Sequence, residues 1–176
     1  MSDESPQAMN RTAALRKAVA IVGPSNSGKT ELICRLVDWF QARGLKVAVL
    51  KHSHHPHLGD NAKDTGRYRR AGAENVALAG PGLLQITLSL PSDPAVEEVL
   101  SSWAPVSDLI LVEGYKSGSL PKIALVGPKL EKVLSDFSRV IALVGEPPGP
   151  SPLPVFSPGQ VEELGRFIWE FLAIAA

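Results

Sequence analysis

The segment with the most recognisable chemistry is Gly23 to Thr30 (GPSNSGKT), which fits the pattern G-x-x-x-x-G-K-[ST]. Glycines in such a loop let successive backbone N–H groups point at one anion, and the helix that follows adds its partial positive charge. Lys29 is predicted to reach the terminal phosphates, and the Thr30 hydroxyl to bind Mg²⁺. We therefore expect a nucleoside di- or triphosphate to be held by this phosphate loop, through Gly23, Ser25, Asn26, Ser27, Gly28, Lys29 and Thr30.

A carboxylate near the metal is the second requirement of such a site, and Glu113 is placed to provide it. Glu113 ends the apolar run Leu109-Ile110-Leu111-Val112, and the carboxyl ends of parallel strands are where α/β sheets bind ligands. Thr30 and Glu113 are therefore the predicted Mg²⁺ ligands. Asp64, in the basic segment 63–73, is a second candidate for positioning Mg²⁺ or water, so Glu113 and Asp64 are the predicted catalytic residues.

All four histidines of the chain lie within six residues, directly after the second predicted strand: His52, His54, His55 and His57. Imidazoles this close together suit a transition metal, although no cysteine is nearby and the spacing differs from common structural zinc patterns. They also suit the lining of a nucleotide site, or a polar loop. The residues leave these alternatives open.

The elements that would position these groups alternate between apolar strands and amphipathic helices. Such an order predicts an α/β fold with a mostly parallel sheet, helices on both faces and a β-hairpin at the sheet edge. The strands are expected at 18–22, 46–50, 108–113, 123–126 and 140–144, the hairpin at 75–79 and 83–90, and the helices at 29–43, 94–103 and from Val161 onward.

Composition limits the classes of function. Lys and Arg together number 18, as do Asp and Glu, so the formal net charge is zero and an overall positive field for nucleic acid is excluded. The single cysteine, Cys34, favours a reducing compartment, and no apolar run reaches the ~18 residues that span a bilayer. We expect a cytoplasmic protein that binds neither nucleic acid nor membrane, with a flexible tail over residues 1–16 and one domain over 17–176.

Five motifs, in this order and spacing, resemble the family of molybdopterin-guanine dinucleotide biosynthesis protein B, MobB. They are GPSNSGKT (23–30), LKVAVLKHSHH (45–55), KDTGRYRRAGA (63–73), DLILVEGYK (108–116) and PKI (121–123). The phosphate loop is shared by many families, whereas the combination of Lys-His-x-His-His, Lys-Asp-[ST] and Val-Glu-Gly-[FY]-Lys is much more particular.

The resemblance implies a three-layer P-loop NTPase fold and a homodimeric protein that binds GTP and Mg²⁺ and hydrolyses GTP at most slowly. It implies an accessory role beside a MobA-like guanylyltransferase, which joins GMP to molybdopterin. Lys51, His52 and Arg67 would then join the phosphate loop around the nucleotide. The chain departs from the family after Pro121-Lys122-Ile123, where an arginine usually follows and Lys129 is the nearest replacement; Asp60 is not safely aligned.

Two other functions share the phosphate loop. A small-molecule kinase would use Arg67, Arg69 and Arg70 as a mobile lid, although no second arginine cluster follows downstream. A metal-delivery GTPase would carry nickel or zinc on the histidines. No Asn-Lys-x-Asp segment for guanine is present, so the choice of GTP over ATP rests on the resemblance alone.

Overall fold

A computed structural model of the chain describes residues 14–53, 63–127, 137–147 and 149–174. These residues form two compact units, one within Met1–Ser53 and Val96–Ala176 and the other within His54–Ala95. No helix in the described ranges is long and apolar enough to cross a membrane.

In chain order the elements are β1 (Ala18–Val22), α1 (Lys29–Gln41), β2 (Val47–Lys51), α2 (Asp64–Arg70), β3 (Asn75–Gly80), β4 (Leu83–Leu88), α3 (Val96–Trp103), β5 (Leu109–Glu113), β6 (Lys122–Val126), β7 (Val140–Gly145), β8 (Val155–Phe156) and α4 (Val161–Phe171). The α/β fold class is confirmed. The predicted strands and helices are all present, with ends that move by one or two residues.

The first unit is built on a six-stranded sheet with the order β2-β5-β1-β6-β7-β8, and every neighbouring pair is parallel. The chain leaves β1 toward β2 on one side and later places β6 on the other side. Such a change of direction opens a crevice at the carboxyl end of the central strand, where ligands of open α/β sheets bind.

Alternate residues of β1 pack on opposite faces of this sheet. Val19 and Ile21 belong to a core that α1 and α4 cover, and Ala18, Ala20 and Val22 belong to a second core that α3 covers. A strand buried on both faces reads as a continuous apolar run, which is why β1 and β5 were recognisable in the sequence. Helices therefore lie on both faces, as predicted.

The second unit contains α2 and the β3–β4 hairpin. The predicted hairpin is present, but its strands do not pair with the six-stranded sheet. Its strands pair antiparallel with each other, from Asn75↔Leu88 to Gly80↔Leu83, as a two-stranded sheet of their own. The six-stranded sheet instead ends in β2 on one side and β8 on the other.

Packing of the first unit begins before the predicted end of the tail. Ala14 is fully buried in the core beneath α3, and the Lys17 N–H donates to its carbonyl oxygen. Residues 1–13 lie outside the described part of the chain. The division into a tail over 1–16 and a single domain over 17–176 stays a prediction.

Candidate nucleotide-binding site

The phosphate loop connects the end of β1 to the first turn of α1. Asn26 and Gly28 have φ angles of 59° and 89°, in the left-handed region that turns the chain tightly and that glycine adopts without strain. The Lys29 ammonium donates to the carbonyl oxygen of Pro24 at 2.6 Å, so the lysine folds back over its own loop. The loop thus leads directly into α1 and holds one ammonium group against its own backbone.

The Ser27 hydroxyl lies inside this loop. Its oxygen is buried and has no hydrogen-bond partner among the described residues. A buried hydroxyl without a partner costs free energy, and an oxygen of a bound phosphate would satisfy it. This is the local feature of the loop that best fits an anionic ligand.

Glu113 meets the phosphate loop from the neighbouring strand. β5 pairs with β1 so that Glu113 stands beside Ile21, two residues before the loop begins. The Thr30 hydroxyl donates to Glu113 Oε2 at 2.9 Å, and Lys51 Nζ lies 3.0 Å from Glu113 Oε1. Sheet order and register therefore bring together three side chains from α1, β2 and β5.

The donor set suits a hard divalent cation. A hydroxyl oxygen and a carboxylate within hydrogen-bond distance of each other are oxygen ligands of the kind that Mg²⁺ takes beside nucleotide phosphates. In contrast, no group of three or more His, Cys, Asp or Glu side chains that could hold a metal is found within the described ranges.

Positive charge dominates around Lys29. Burial lowers the pKa of Lys29 from its ordinary value of 10.5; Glu113 opposes this shift, and the charges of Lys116 and Lys51 add to it. Two ammonium groups and one carboxylate thus act on the Lys29 ammonium. An anionic ligand would relieve this repulsion, because it stabilises the charged form of each lysine.

The family model for MobB, molybdopterin guanine dinucleotide synthesis protein B, matches residues 18–146, well over half of the chain. The chain belongs to the MobB family. The matched region contains the phosphate loop and β5 with Glu113.

Individual relatives agree with the MobB assignment. The molybdopterin-guanine dinucleotide biosynthesis adapter protein of Haemophilus influenzae is 34% identical over 128 residues, covering 72% of each chain. The adapter protein of Escherichia coli is 30% identical over 162 residues, covering 88% of this chain and 92% of its own. The crystal structure of a MobB homologue from Bacillus stearothermophilus superposes with a TM-score of 0.70 at 28% identity, covering 90% of this chain and 99% of that one.

The turn after β5 joins Glu113 to the end of β2. The His52 N–H donates to the Glu113 carbonyl oxygen at 2.9 Å, and Gly114 and Tyr115 follow with φ angles of 87° and 58°. The Tyr115 hydroxyl donates to the Glu97 carboxylate on α3, and burial, with this carboxylate, raises the pKa of Tyr115 to about 12. Hydrogen bonds to the residue after β2 and to α3 therefore hold the turn in place.

Two cationic side chains hold the rest of this loop, and neither was predicted from the sequence to act at the site. The fully buried Lys122 ammonium donates to the carbonyl oxygens of Gly118 at 2.5 Å and Leu120 at 3.0 Å. Arg139 donates to the intervening carbonyl oxygen of Ser119 at 2.7 Å. The sequence did offer a signal for Lys122, which is the only charged residue in the otherwise apolar strand KIALV. Lys129, the predicted replacement for the family's arginine, lies outside the described residues.

Other predicted site residues are not in the first unit. Asp64 and Arg67 lie on α2 in the second unit and pair with each other at 3.6 Å, with side chains 78% and 74% exposed. His54, His55, His57 and Asp60 lie outside the described residues. The roles predicted for Asp64 and Arg67, and the metal hypothesis for the histidines, stay predictions.

Proposed function

We propose that this chain is a GTP-binding adapter that assists the attachment of GMP to molybdopterin, which forms the guanine dinucleotide form of the molybdenum cofactor. The observation that carries this proposal is the contact between Thr30 of the phosphate loop and Glu113 at the end of the neighbouring strand. The names of the relatives from H. influenzae and E. coli supply the biosynthetic context.

The phosphates of GTP would lie against the phosphate loop. The N-terminal N–H groups of α1, the Ser27 hydroxyl and the Lys29 ammonium, turned from Pro24 O, would donate to phosphate oxygens. Thr30 and Glu113 would hold Mg²⁺, which neutralises charge on the phosphates when bound. That the nucleotide is GTP rather than ATP is inferred from the family resemblance.

The arrangement around Glu113 favours slow turnover. Both of its carboxylate oxygens already have partners, Thr30 on Oε2 and Lys51 on Oε1. With Mg²⁺ bound, the cation would engage this carboxylate in place of Lys51, which leaves it poorly placed to accept a proton from an attacking water. Any GTP hydrolysis is therefore slow, and the adapter acts through binding.

The hairpin of the second unit is the surface that we propose for a second copy of the chain. Leu84, Ile86 and Leu88 project from one face of β4 and are 65%, 57% and 54% exposed, and Ala77 and Ala79 of β3 lie on the same face. An isolated two-stranded ribbon is marginal in water, and a homodimer would bury the same apolar face of both copies.

The adapter role is tested by reconstitution of cofactor synthesis. A purified MobA-like guanylyltransferase is given molybdopterin, GTP and Mg²⁺, and guanine dinucleotide formation is measured with and without this chain. We expect the wild-type chain to raise the yield and Lys29→Ala to lose most of this effect. Lys46→Ala, which removes a lysine just before β2 and at the end opposite Lys51, is the matched control and should behave as wild type. A yield that does not change when the wild-type chain is added would refute the role.

A further inference from the structure

Lys51 contacts Glu113 in the candidate site, although it is not part of the phosphate loop. It is the register partner of Glu113 on the adjacent parallel strand, and its ammonium lies 3.0 Å from Glu113 Oε1. The other oxygen, Oε2, accepts from the Thr30 hydroxyl. The ammonium therefore sits on the carboxylate that, with Thr30, forms the predicted Mg²⁺ site.

The two partners of this ion pair differ strongly in exposure. The Glu113 side chain is 11% exposed and the Lys51 side chain is 64% exposed. A carboxylate with so little access to water needs a positive partner, because its own hydration has been lost. A lysine on a flexible four-carbon stem in solvent can supply that charge and can also leave.

We propose that Lys51 is a built-in counter-ion that occupies the divalent-cation position on Glu113 in the nucleotide-free protein and turns to the phosphates when Mg²⁺ and nucleotide bind. This inference rests on the proposed function, because it assumes that Thr30 and Glu113 hold the cation. It adds that the metal competes with a side chain of the protein for one carboxylate oxygen.

Competition of this kind has a consequence that distinguishes it from a purely structural ion pair. Without nucleotide, a divalent cation must displace the Lys51 ammonium before it can use both oxygens of Glu113. Removal of the ammonium therefore strengthens the binding of a divalent cation to the nucleotide-free protein. A lysine that binds phosphate and does not contact Glu113 gives no such gain beyond the general effect of losing one positive charge.

The test measures the binding of Mn²⁺ alone to the full nucleotide-free chain by electron paramagnetic resonance. The variant is Lys51→Met, which keeps most of the side-chain volume, and the matched control is Lys46→Met, just before the other end of β2. We expect Lys51→Met to bind Mn²⁺ about tenfold more tightly than wild type, a change of about 1.4 kcal/mol, and Lys46→Met to match wild type.

A second control tests whether Mn²⁺ binds more tightly when any nearby ammonium is removed, or only when Lys51 is removed. Lys116→Met removes another ammonium that acts on Lys29. If any loss of positive charge strengthened Mn²⁺ binding, Lys116→Met would match Lys51→Met, and the specific role of Lys51 would be overturned. Mn²⁺ affinity of Lys51→Met equal to or weaker than that of wild type overturns it as well.

The same proteins are then titrated with GTP, with and without Mg²⁺. We expect Lys51→Met to weaken GTP binding in EDTA by about tenfold. In Mg²⁺ the loss should be less than about threefold, because the lost phosphate contact is offset by a metal that no longer has to displace the ammonium from Glu113. Equal losses in both buffers overturn the counter-ion role and leave the proposed function standing. A wild-type chain that binds no GTP in either buffer overturns the proposed function, whatever the Mn²⁺ result.

Discussion

Gly114 follows Glu113 at a point where a side chain has no room, so Gly114→Ala is a direct test of how the site is assembled. Gly114 has a φ angle of 87°, and a Cβ built there would lie 2.8 Å from the carbonyl oxygen of His52. A methyl group at that distance overlaps a backbone atom. The backbone of β2 or of the turn after β5 must therefore move.

The magnitude has two parts. An L-residue in left-handed backbone costs about 1–2 kcal/mol, and overpacking against a backbone atom adds about 1–3 kcal/mol. His52 cannot retreat freely, because its N–H donates to the Glu113 carbonyl oxygen at 2.9 Å and the Gly114 N–H donates to Ile21 at 2.9 Å. We expect a loss of about 3 kcal/mol, which lowers the Tm of a chain of this length by about 6–12 °C.

Gly44→Ala is the matched control. Gly44 has a similar φ angle of 82°, but a Cβ built there meets nothing within 4 Å, so only the conformational cost of about 1 kcal/mol applies. Thermal and urea unfolding followed by circular dichroism give both stabilities, and a GTP titration follows the site. Equal losses in the two variants would refute the close approach of His52 to Gly114, and with it this account of how the turn is held.

Three further outcomes are expected. Lys122→Ala should cost about 3 kcal/mol in urea unfolding, because the Gly118 and Leu120 carbonyls lose their donor; a loss below about 0.5 kcal/mol would contradict this. Gly165→Ala gains about 1 kcal/mol of helix propensity but should lose about 1–3 kcal/mol by overpacking, since a Cβ there would lie 2.6 Å from the Trp39 ring; a rise in stability would show that the ring moves freely. The double variant Leu84→Asp, Ile86→Asp should be monomeric by light scattering with its GTP affinity retained, whereas an unchanged mass would refute the hairpin interface.

The main elements of the fold could be predicted from the sequence because burial on both faces makes strands such as β1 and β5 continuous apolar runs. β8 was missed because it has only two residues, Val155–Phe156, and is defined by its pairing with β7. The hairpin was recognised from its turn. Its separation from the main sheet depends on long-range pairing, which strand periodicity does not encode.

The phosphate loop could be predicted because its residues are contiguous and its chemistry requires their order. The contact of Thr30 with Glu113 needs β5 to lie beside β1, and the pairing of Lys51 with Glu113 needs β2 beside β5. Lys122 and Arg139 act on backbone carbonyls 118–120, and such partners leave no pattern in a sequence. Contacts of this kind become visible only once the chain is folded.

Calorimetric titration of GTP with Mg²⁺ into the full chain, wild type against Lys29→Ala, is the measurement that most directly tests nucleotide binding at the phosphate loop. We expect one GTP per wild-type chain and at least a tenfold weaker affinity for Lys29→Ala, because the lysine that now donates to Pro24 would be the main cationic donor to the phosphates. Lys46→Ala should bind as wild type. Absence of saturable binding to the wild-type chain, or equal affinities for wild type and Lys29→Ala, would contradict the account.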